Sequence, residues 1–525
     1  MFPLLSLPDD LILPIVAAVH HPADLISLAQ TCSKLRDLAE AQLFRSLFIN
    51  RGSLAERLGK VLQVRPERFG YVQKVEATPG TGDWQGVEIM PSLVKRMHNL
   101  RNLHIESPII NNFRFDDWWE EQSVSEYMEA FAKEDEMEKP LKNIESFIFH
   151  SHGKGNRYYG FSIIRPVFTS RYLKHIHISC VHVGEFDVDE KDVGKSAIQS
   201  IVLDECNISH VGLETLLSLP RNLYSLSMQE NRQHMRYHRF GALNRHPSVL
   251  LSALNQQRHS LRYLQHSCPS DTVPEQIPLD VLNGPGLASF KNLETIELGE
   301  DSCLRHCLVV PSLAPPNLST LRLTNLSFRA DDRWDLVFPI INRVSFATPF
   351  AHLELHTDPE YSGGRHAINF LKGESRTRKI IDLARVMKER GTTTKVIALS
   401  YHSCIPPYLW ADHGGAPKQR LVLDSERFWA EEQKYVETAQ EIQKTMERGE
   451  GSNVQINTLD GGSLINSDLA IFEEVEVDGT VVAAKMSAGY KFAMYSTASA
   501  RVAAANQIWP EDDEDSDQED SEEDS

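Results

Sequence analysis

Short apolar motifs recur along residues 51 to about 400, and each has the spacing of a strand with one buried face. The motif is apolar-x-x-apolar-x-apolar, in which the second and third apolar positions alternate as in a β-strand. Ten copies are recognisable, and they begin at Val72, Leu100, Ile144, Leu173, Ile198, Leu223, Leu261, Leu293, Leu318 and Ile341. Successive copies begin 23 to 44 residues apart, which predicts one short strand per repeated unit.

The clearest unit begins at Ile198 and continues through Ile201 and Leu203 to Cys206 and Asn207. A helix is predicted from Ser209 to Leu219, because Pro220 follows it. The unit resembles a leucine-rich repeat, which has roughly 20–29 residues and places a Cys or Asn at the turn after its strand. Several other copies lack this Asn. The resemblance implies an irregular leucine-rich-repeat solenoid over residues 51–400, and a generic α/β domain is the alternative.

The first fifty residues have helical rather than strand periodicity. Asp24 is a suitable N-cap, and Leu25, Leu28, Cys32 and Leu35 follow at helical spacing. A segment this short buries little apolar surface by itself. The pattern therefore predicts a small helical unit with apolar surface to spare, either a docking module or a cap on the following domain.

Three short motifs in this unit closely resemble the F-box. They are Leu7-Pro8-x-x-Leu11, Asp24-Leu25-x-x-Leu28 and Cys32-x-x-Leu35-Arg36. The F-box docks proteins onto the Skp-type adaptor of cullin–RING (SCF) ubiquitin ligases. On this resemblance the adaptor-facing residues are Leu7, Pro8, Leu11, Ile15, Leu25, Leu28, Cys32 and Leu35. The segment departs from the family at Leu35, where many members have Trp, and at Pro14, which is expected to bend or break the first helix.

Charge is distributed unevenly along the chain. The formal net charge is −19, and residues 511–525 contain eleven acids and no bases. Residues 1–510 then have 62 acids and 54 bases, so their charge is only −8. This mild acidity argues against a general binder of nucleic acid or anionic membranes. The tail has the composition of a disordered segment.

Cysteine content and hydropathy predict a protein of a reducing compartment. The seven cysteines are sparse and odd in number, unlike a disulfide framework. The longest early apolar run, Leu11–Val19, has nine residues, far fewer than the roughly 20 that span a bilayer. No basic segment precedes it as in a signal peptide. We therefore expect a cytoplasmic or nuclear protein.

Two insertions between repeats are candidates for client binding. The first, about residues 111–140, carries Trp118 and Trp119, which could anchor a partner or form a small core of their own. The second lies in residues 231–270, which contain no Asp or Glu. Its Arg232, Arg236 and Arg239 could receive an anionic or phosphorylated client segment, since guanidinium groups pair with carboxylates and phosphates. A solvated loop is the alternative.

The segment after the repeats predicts a mixed α/β appendage. It reads as a helix over Ile380–Arg390, a strand over Lys395–Leu399 and a charged helix over Asp424–Arg448. A hairpin is predicted around Asp478-Gly479, between two alternating apolar runs. The predicted organisation is an F-box in residues 1–50, a solenoid in 51–400, the appendage in 401–510 and the acidic tail in 511–525.

Catalytic motifs are absent from the sequence. It contains no Gly-x-x-x-x-Gly-Lys-Ser/Thr loop, no Gly-x-Ser-x-Gly elbow and no His-Glu-x-x-His site. Cys303, His306 and Cys307 are metal-ligand types, but no second pair follows at zinc-finger distance. No cofactor and no metal site are predicted, and the chain is expected to be non-catalytic.

The resemblance implies a fungal-type F-box and leucine-rich-repeat substrate receptor. In this interpretation the chain is the substrate-recognition subunit of an SCF-type E3 ubiquitin ligase, with a Skp-type adaptor, a cullin and a client protein as partners. An adaptor-bound scaffold that acts outside ubiquitination is the alternative. Solenoid surfaces recognise by shape and scattered side chains, so no motif identifies the client.

Overall fold

The chain is described by a computed structural model that covers residues 5, 7–79, 85–106, 124–132, 141–150, 158–230, 243, 246–268, 284–299, 302–327, 341, 343–344, 348–358, 374–399, 419–430, 433 and 473–474. The helices are α1 Asp9–Ala17, α2 Pro22–Ala29, α3 Ser33–Leu43, α4 Gly52–Val64, α5 Met90–Val94, α6 Ser125–Ala132, α7 Phe161–Phe168, α8 His210–Ser218, α9 Pro247–Asn255, α10 Arg305–Leu308 and α11 Glu374–Glu389. The strands are β1 Ser46–Ile49, β2 Lys74–Ala77, β3 Asn102–Glu106, β4 Ser146–His150, β5 Tyr159–Gly160, β6 His175–Ser179, β7 Val181–Val183, β8 Ser200–Ile208, β9 Ser225–Glu230, β10 Tyr263–Ser267, β11 Thr295–Gly299, β12 Thr320–Ser327, β13 His352–Asp358, β14 Thr393–Leu399, β15 Gln419–Asp424 and β16 Glu473–Glu474.

One long sheet connects these strands in the order of the chain. From β1 to β14 the strands of the main path pair in parallel, each with the next one along, while β5 and β7 pair beside it. β15 and β16 then add antiparallel at the β14 edge. Within the described residues the path never reverses, so each connection advances the chain by one position in the sheet.

The repeated motif explains why the strands take this arrangement. Its second and third apolar residues lie on one face of the sheet, because alternate residues of a strand share a face. Leu226, Leu264 and Ile296 are direct neighbours across β9, β10 and β11, and each is fully buried. Burying one such side chain stabilises the fold by about 1.5–3 kcal/mol. The shared apolar face is therefore the core that connects successive units.

Nine of the ten predicted copies precede and enter strands of this sheet, and the tenth is wrong. Ile341 and Val344 are helical, and the strand of this unit is β13. The spacing of Ile341 and Val344 fits a helix as well as the first half of the motif, so the pattern was ambiguous there. The motif that enters β13 consists of Phe350, Leu353 and Leu355, all buried.

The sheet begins earlier than the predicted repeat region. β1 starts at Ser46, inside residues 1–50, and pairs with β2. Phe44, Leu47 and Ile49 carry the same apolar motif, and Leu47 and Ile49 are buried in the core of the sheet. The first strand therefore follows the N-terminal helices after only two residues.

Two predicted helices, one in the clearest repeat and one near the end of the repeat region, are present in the structure. α8 lies within the predicted Ser209–Leu219, and the Ser209 hydroxyl caps it by accepting from the Gly212 N–H at 2.9 Å. α11, Glu374–Glu389, overlaps the helix predicted over Ile380–Arg390 but begins six residues earlier. β14, Thr393–Leu399, contains the strand predicted over Lys395–Leu399. The hairpin at Asp478-Gly479, most of the predicted 424–448 helix and the acidic tail lie outside the described residues.

Candidate docking surface

Helices α1, α2 and α3 form a small core of their own. Ile12 and Val16, one helical turn apart on α1, are buried against Leu25 of α2 and against Leu35 and Ala39 of α3. This cluster is separate from the core of the sheet. The inward face of α1 is therefore fully used by the unit itself.

The outward side of α1 and α2 is apolar as well. Leu11, Leu13, Ile15 and Ile26 are each between 45% and 52% exposed. Leu11 and Ile15 are one turn apart on α1 and lie on the same face. Half-exposed side chains of this size that share a helix face form the kind of apolar patch that marks a protein-binding surface. We call Leu11 and Ile15 the apolar patch.

The eight residues predicted to face an adaptor divide into three groups in the structure. Pro8, Leu11 and Ile15 are exposed, while Leu7, Leu28 and Cys32 are partly buried against the helical core. Leu25 and Leu35, each 5% exposed, lie inside that core. The structure thus places Leu25 and Leu35 where they support the docking helices from within, out of reach of a partner.

Leu13 and Ile26 are half-exposed apolar residues that were not selected from the sequence. The run Leu11-Ile12-Leu13 contains more consecutive apolar residues than one face of a helix can hold. Since Ile12 faces the core, its two neighbours must diverge from it by about 100° each. That surplus was the available signal, and only the packing shows which residue of the run is buried.

Pro14 was expected to bend or break the first helix, yet α1 continues through it. The helix runs from Asp9 to Ala17, and the Ala18 N–H donates to the Pro14 carbonyl at 3.1 Å. Pro14 therefore removes one donor from the helix without ending it. Its carbonyl still anchors the last turn, which carries Ile15 and Val16.

A buried carboxylate connects the docking helices to the sheet. Glu40 of α3 accepts hydrogen bonds from Arg68 at 2.6 and 3.0 Å and from Arg65 at 2.8 Å. Both arginines lie at the 3₁₀ helix Pro66–Tyr71, which follows α4, and Glu40 is only 7% exposed. The Arg68 guanidinium holds the pKa of the Glu40 carboxyl below its ordinary value of 4.5. The cluster fixes the orientation of α3 relative to the first unit of the sheet.

The sheet face opposite the core carries a band of interacting polar groups. The rings of His104, His150 and His177 follow one another with centroid distances of 5.4 and 4.4 Å, and His177 bonds the Asp204 carboxylate. Burial is the main reason that the pKa values of His104 and His150 lie below 6.5. These imidazoles are therefore held largely neutral.

Further along the same face, Arg322 of β12 pairs with a glutamate on each of the two neighbouring strands, β11 and β13. It donates to Glu297 at 2.6 Å and to Glu354 at 2.7 Å, and Gln265 donates to Glu297 at 2.8 Å. The nearby His356, with Nε2 3.7 Å from the carboxylate, and then the hydrogen bond from Arg322 lower the pKa of Glu354 to about 2. The charges described on this part of the face, one guanidinium and two carboxylates, are paired and of both signs, so they do not form a one-sign patch.

A buried hydroxyl–imidazole–carboxylate chain lies at the ends of β9 and β10. His266 Nδ1 is 2.7 Å from the Ser302 hydroxyl, and His266 Nε2 is 3.2 Å from Glu230 Oε1. In a serine-hydrolase triad the serine contacts Nε2 and the acid contacts Nδ1, which is the reverse of this order. Ser302 and His266 are both 0% exposed, so a substrate has no access to this hydroxyl. The geometry does not support acyl transfer.

The other residues singled out in the sequence are placed as follows. Cys303, His306 and Cys307 are buried, and Cys303 and Cys307 pack within the core of the sheet. The candidate client-binding residues Arg232, Arg236, Arg239, Trp118 and Trp119 lie outside the described residues. Among the helices that the structure describes, none is long and apolar enough to cross a membrane.

Comparison with known protein families gives a match at helices α1, α2 and α3. No curated protein matches the chain. A protein-family model described as F-box-like matches residues 4–50, the segment that contains α1, α2, α3 and the apolar patch. The chain therefore carries an F-box-like domain at its N-terminal end.

Proposed function

We propose that the chain is a substrate-recognition subunit of an SCF-type E3 ubiquitin ligase. The observation that carries the proposal is the coincidence of the F-box-like match at residues 4–50 with a half-exposed apolar patch on the same helices. An F-box-like domain points to a Skp-type adaptor as its partner. In the proposed complex the adaptor connects this chain to a cullin, and the chain presents a client protein.

The adaptor contact is proposed to centre on the outward side of α1. Pro8, Leu11 and Ile15 were expected to face an adaptor and are exposed. Leu13 and Ile26 are also half-exposed, and we propose them as further candidates for contact with a partner. Covering such side chains removes apolar area from water, at about 25 cal/mol per Å². The buried Leu25 and Leu35 are proposed to hold the helices in position.

The region after the F-box is proposed to be an irregular leucine-rich-repeat solenoid. Its support is the monotonic order of parallel strands, since a doubly wound α/β domain reverses direction within its sheet. Repeats that each contact only their neighbours give the monotonic order directly. We propose the solenoid for residues 51–400, with residues 401–510 as an appendage whose described strands β15 and β16 extend the sheet antiparallel.

The repeat region is proposed to act by holding the client protein close to the ubiquitin-charged enzyme. A client held near the ubiquitin-charged enzyme reacts faster because its lysines are concentrated and oriented there. This role requires no bond-forming residue in the chain itself. Such a complex works in the cytoplasm or nucleus. Arg232, Arg236 and Arg239, with Trp118 and Trp119, remain the predicted client contacts.

The docking proposal is tested with purified full chain and a Skp-type adaptor. The double variant Leu11→Ala/Ile15→Ala is expected to weaken adaptor binding at least about tenfold, a loss of about 1.4 kcal/mol or more. The matched control is Val61→Ala/Val64→Ala, which truncates apolar side chains on α4 that are 41% and 78% exposed and lie outside the match. Binding by calorimetry should be unchanged for this control. Equal affinity of wild type and the Leu11/Ile15 variant would refute adaptor docking through α1.

The ligase proposal is tested by what co-purifies with the chain in cells. Adaptor together with cullin, and ubiquitinated proteins that disappear in the Leu11/Ile15 variant, would support a substrate receptor. Adaptor without cullin would instead favour a scaffold outside ubiquitination. Reversal of Arg232, Arg236 and Arg239 to Glu should abolish client capture while adaptor binding persists, and unchanged capture would remove these residues from the client surface.

A further inference from the structure

Three ligand-type side chains converge at the ends of β9 and β10. They are Glu230, the last residue of β9, His266 near the end of β10, and Cys268, which follows β10. One ligand atom from each lies within 4.8 Å of the other two, and all three residues are buried. They meet because β9 and β10 are parallel, which brings the carboxyl ends of both strands to the same edge of the sheet.

The three donors are those that zinc prefers. Zn²⁺ is bound in proteins by thiolate sulfur, imidazole nitrogen and carboxylate oxygen. With bonds of about 2.0 Å and tetrahedral angles, a nitrogen and an oxygen ligand lie about 3.3 Å apart. The observed distance between His266 Nε2 and Glu230 Oε1 is 3.2 Å. The pair therefore already has the separation that two ligands of one zinc ion have.

The remaining polar atoms of two ligands are already oriented as in a metal site. His266 Nδ1 is 2.7 Å from the Ser302 hydroxyl, which leaves Nε2 for a metal when Nδ1 carries the proton. Glu230 Oε2 accepts a hydrogen bond from the Leu243 N–H at 3.1 Å, which leaves Oε1 for the metal. Such outer contacts fix the ring and the carboxylate and are typical of protein metal sites.

Charge also favours a dication at this position. Glu230 and Cys268 would bind as carboxylate and thiolate, and together they balance the two positive charges of Zn²⁺. Burial disfavours an uncompensated ion, so a neutral cluster is the form that such a site can hold. A thiolate, a carboxylate and an imidazole with one open position are better suited to Zn²⁺ than to Mg²⁺ or Ca²⁺, which take oxygen ligands.

We propose that Glu230, His266 and Cys268 supply three ligands of a zinc site at the carboxyl ends of β9 and β10. The site would tie together two neighbouring strands of the sheet. Glu230 also immediately precedes the acid-free segment that begins at Asn231. The proposal is independent of the adaptor and of the ligase function.

The test measures metal in the purified full chain after gel filtration. Wild type, expressed with added zinc, is expected to contain about one Zn²⁺ per chain by mass spectrometry of the metal. Cys268→Ala is expected to lose at least about nine-tenths of it. The matched control is Cys206→Ser, at another buried cysteine beyond the middle of β8, which should retain the metal. Circular dichroism verifies that the variants are folded.

A second measurement uses Co²⁺ in wild type and does not depend on a variant that folds. Cobalt bound through Cys268 gives a thiolate-to-metal charge-transfer band in the near ultraviolet, which added Zn²⁺ should remove by competition. The band should be present in Cys206→Ser and absent in Cys268→Ala. Wild type with neither zinc nor a cobalt–thiolate band would overturn the site, as would Cys268→Ala with undiminished metal.

Discussion

Arg68 donates two hydrogen bonds to the carboxylate of Glu40, from Nη2 to Oε1 at 2.6 Å and from Nε to Oε2 at 3.0 Å. The two residues belong to different parts of the chain, since Glu40 lies on the last docking helix and Arg68 in the first unit of the sheet. The Arg68 side chain is 14% exposed and that of Glu40 is 10% exposed. This ion pair connects the F-box-like domain to the first unit of the sheet.

The first prediction concerns the strength of this connection. Glu40→Gln should destabilise the chain by about 3 kcal/mol, because it leaves the half-buried Arg68 and Arg65 without their shared counter-charge. Urea unfolding followed by circular dichroism measures the loss. Glu67→Gln is the matched control, since Glu67 also pairs with Arg65, at 2.7 Å, but its side chain is 49% exposed. Loss of that exposed pair should cost much less stability, and equal losses in the two variants would contradict the buried-pair account.

The second prediction concerns pH and the buried histidines. Burial lowers the pKa values of His104 and His150 below 6.5, so the unfolded chain takes up protons there before the folded chain does. The stability of the folded chain is therefore not reduced by these histidines above pH 6.5, and it falls as the pH decreases below this value. Each histidine should lower the free energy of unfolding by at most about 1.4 kcal/mol for each pH unit of acidification.

The test of the histidine prediction compares unfolding free energies between pH 7.5 and 5.5. His150→Phe keeps a ring between His104 and His177 but cannot bind a proton, so the pH slope should fall by up to one proton equivalent. Glu76 near His104 and Asp204 beside His177 are the neighbouring acids, and they remain in both proteins. His175→Gln, an exposed position on β6, is the control and should keep the wild-type slope. An unchanged slope in His150→Phe would refute the prediction.

The third prediction concerns a buried amide between repeats. Gln257 accepts from the Leu223 N–H at 3.0 Å, and its Nε2 donates to the carbonyls of Leu217 and Pro220 at 2.8 and 3.0 Å. Gln257→Leu leaves these three backbone groups without their partner, and each costs about 1–3 kcal/mol. A loss of at least about 3 kcal/mol is expected in urea unfolding.

The neighbouring Gln256 provides the control for this loss. Its side chain is exposed and donates a single hydrogen bond, to the Glu214 carbonyl at 2.8 Å. Gln256→Leu should therefore cost no more than about 1 kcal/mol, because water can replace the lost donor. If both substitutions had the same effect, the three backbone contacts of Gln257 would not be its contribution to stability.

The fourth prediction concerns the close approach of α8 to the chain that follows β7. A Cβ on Gly212 would collide with the Val183 carbonyl oxygen and lie 2.6 Å from that of Gly184. These are backbone atoms and cannot turn aside, so Gly212→Ala should cost at least about 2 kcal/mol in spite of its better helix propensity. Gly59→Ala on α4 meets only the flexible Ile89 Cδ1 at 2.8 Å and should cost less than about 1 kcal/mol. The thermal midpoints of the two variants measure the difference.

The strand positions could be predicted from the sequence because the signal is local. The spacing of Ile201 and Leu203, or of Leu264 after Leu261, fixes both the strand and the face that it buries. Among the ten predicted copies the one failure, at Ile341 and Val344, is the case in which the motif's first interval equals a helical one. The start of the sheet at Ser46 was missed because the helical resemblance of residues 1–50 extends over β1.

The docking surface could be predicted only in part. The motif located the helices, and the exposed Pro8, Leu11 and Ile15 were among the residues it selected. It did not distinguish them from Leu25 and Leu35, because a motif records which positions are apolar and not which side faces a neighbour. The Glu40 cluster gave no signal at all, since Arg65 and Arg68 lie 25 and 28 residues away in the chain.

The sequence by itself determined the positions of most of the strands, the apolar face that they share and the helical motif that precedes them, because each depends on residues a few positions apart. Only the tertiary structure decided which apolar residues of that motif stay exposed and which distant polar groups meet. Glu230 and His266 are separated by 36 residues, and parallel pairing of their strands brings them to 3.2 Å. The physical reason is that strand alternation is a local property, whereas burial and convergence depend on how separate elements pack.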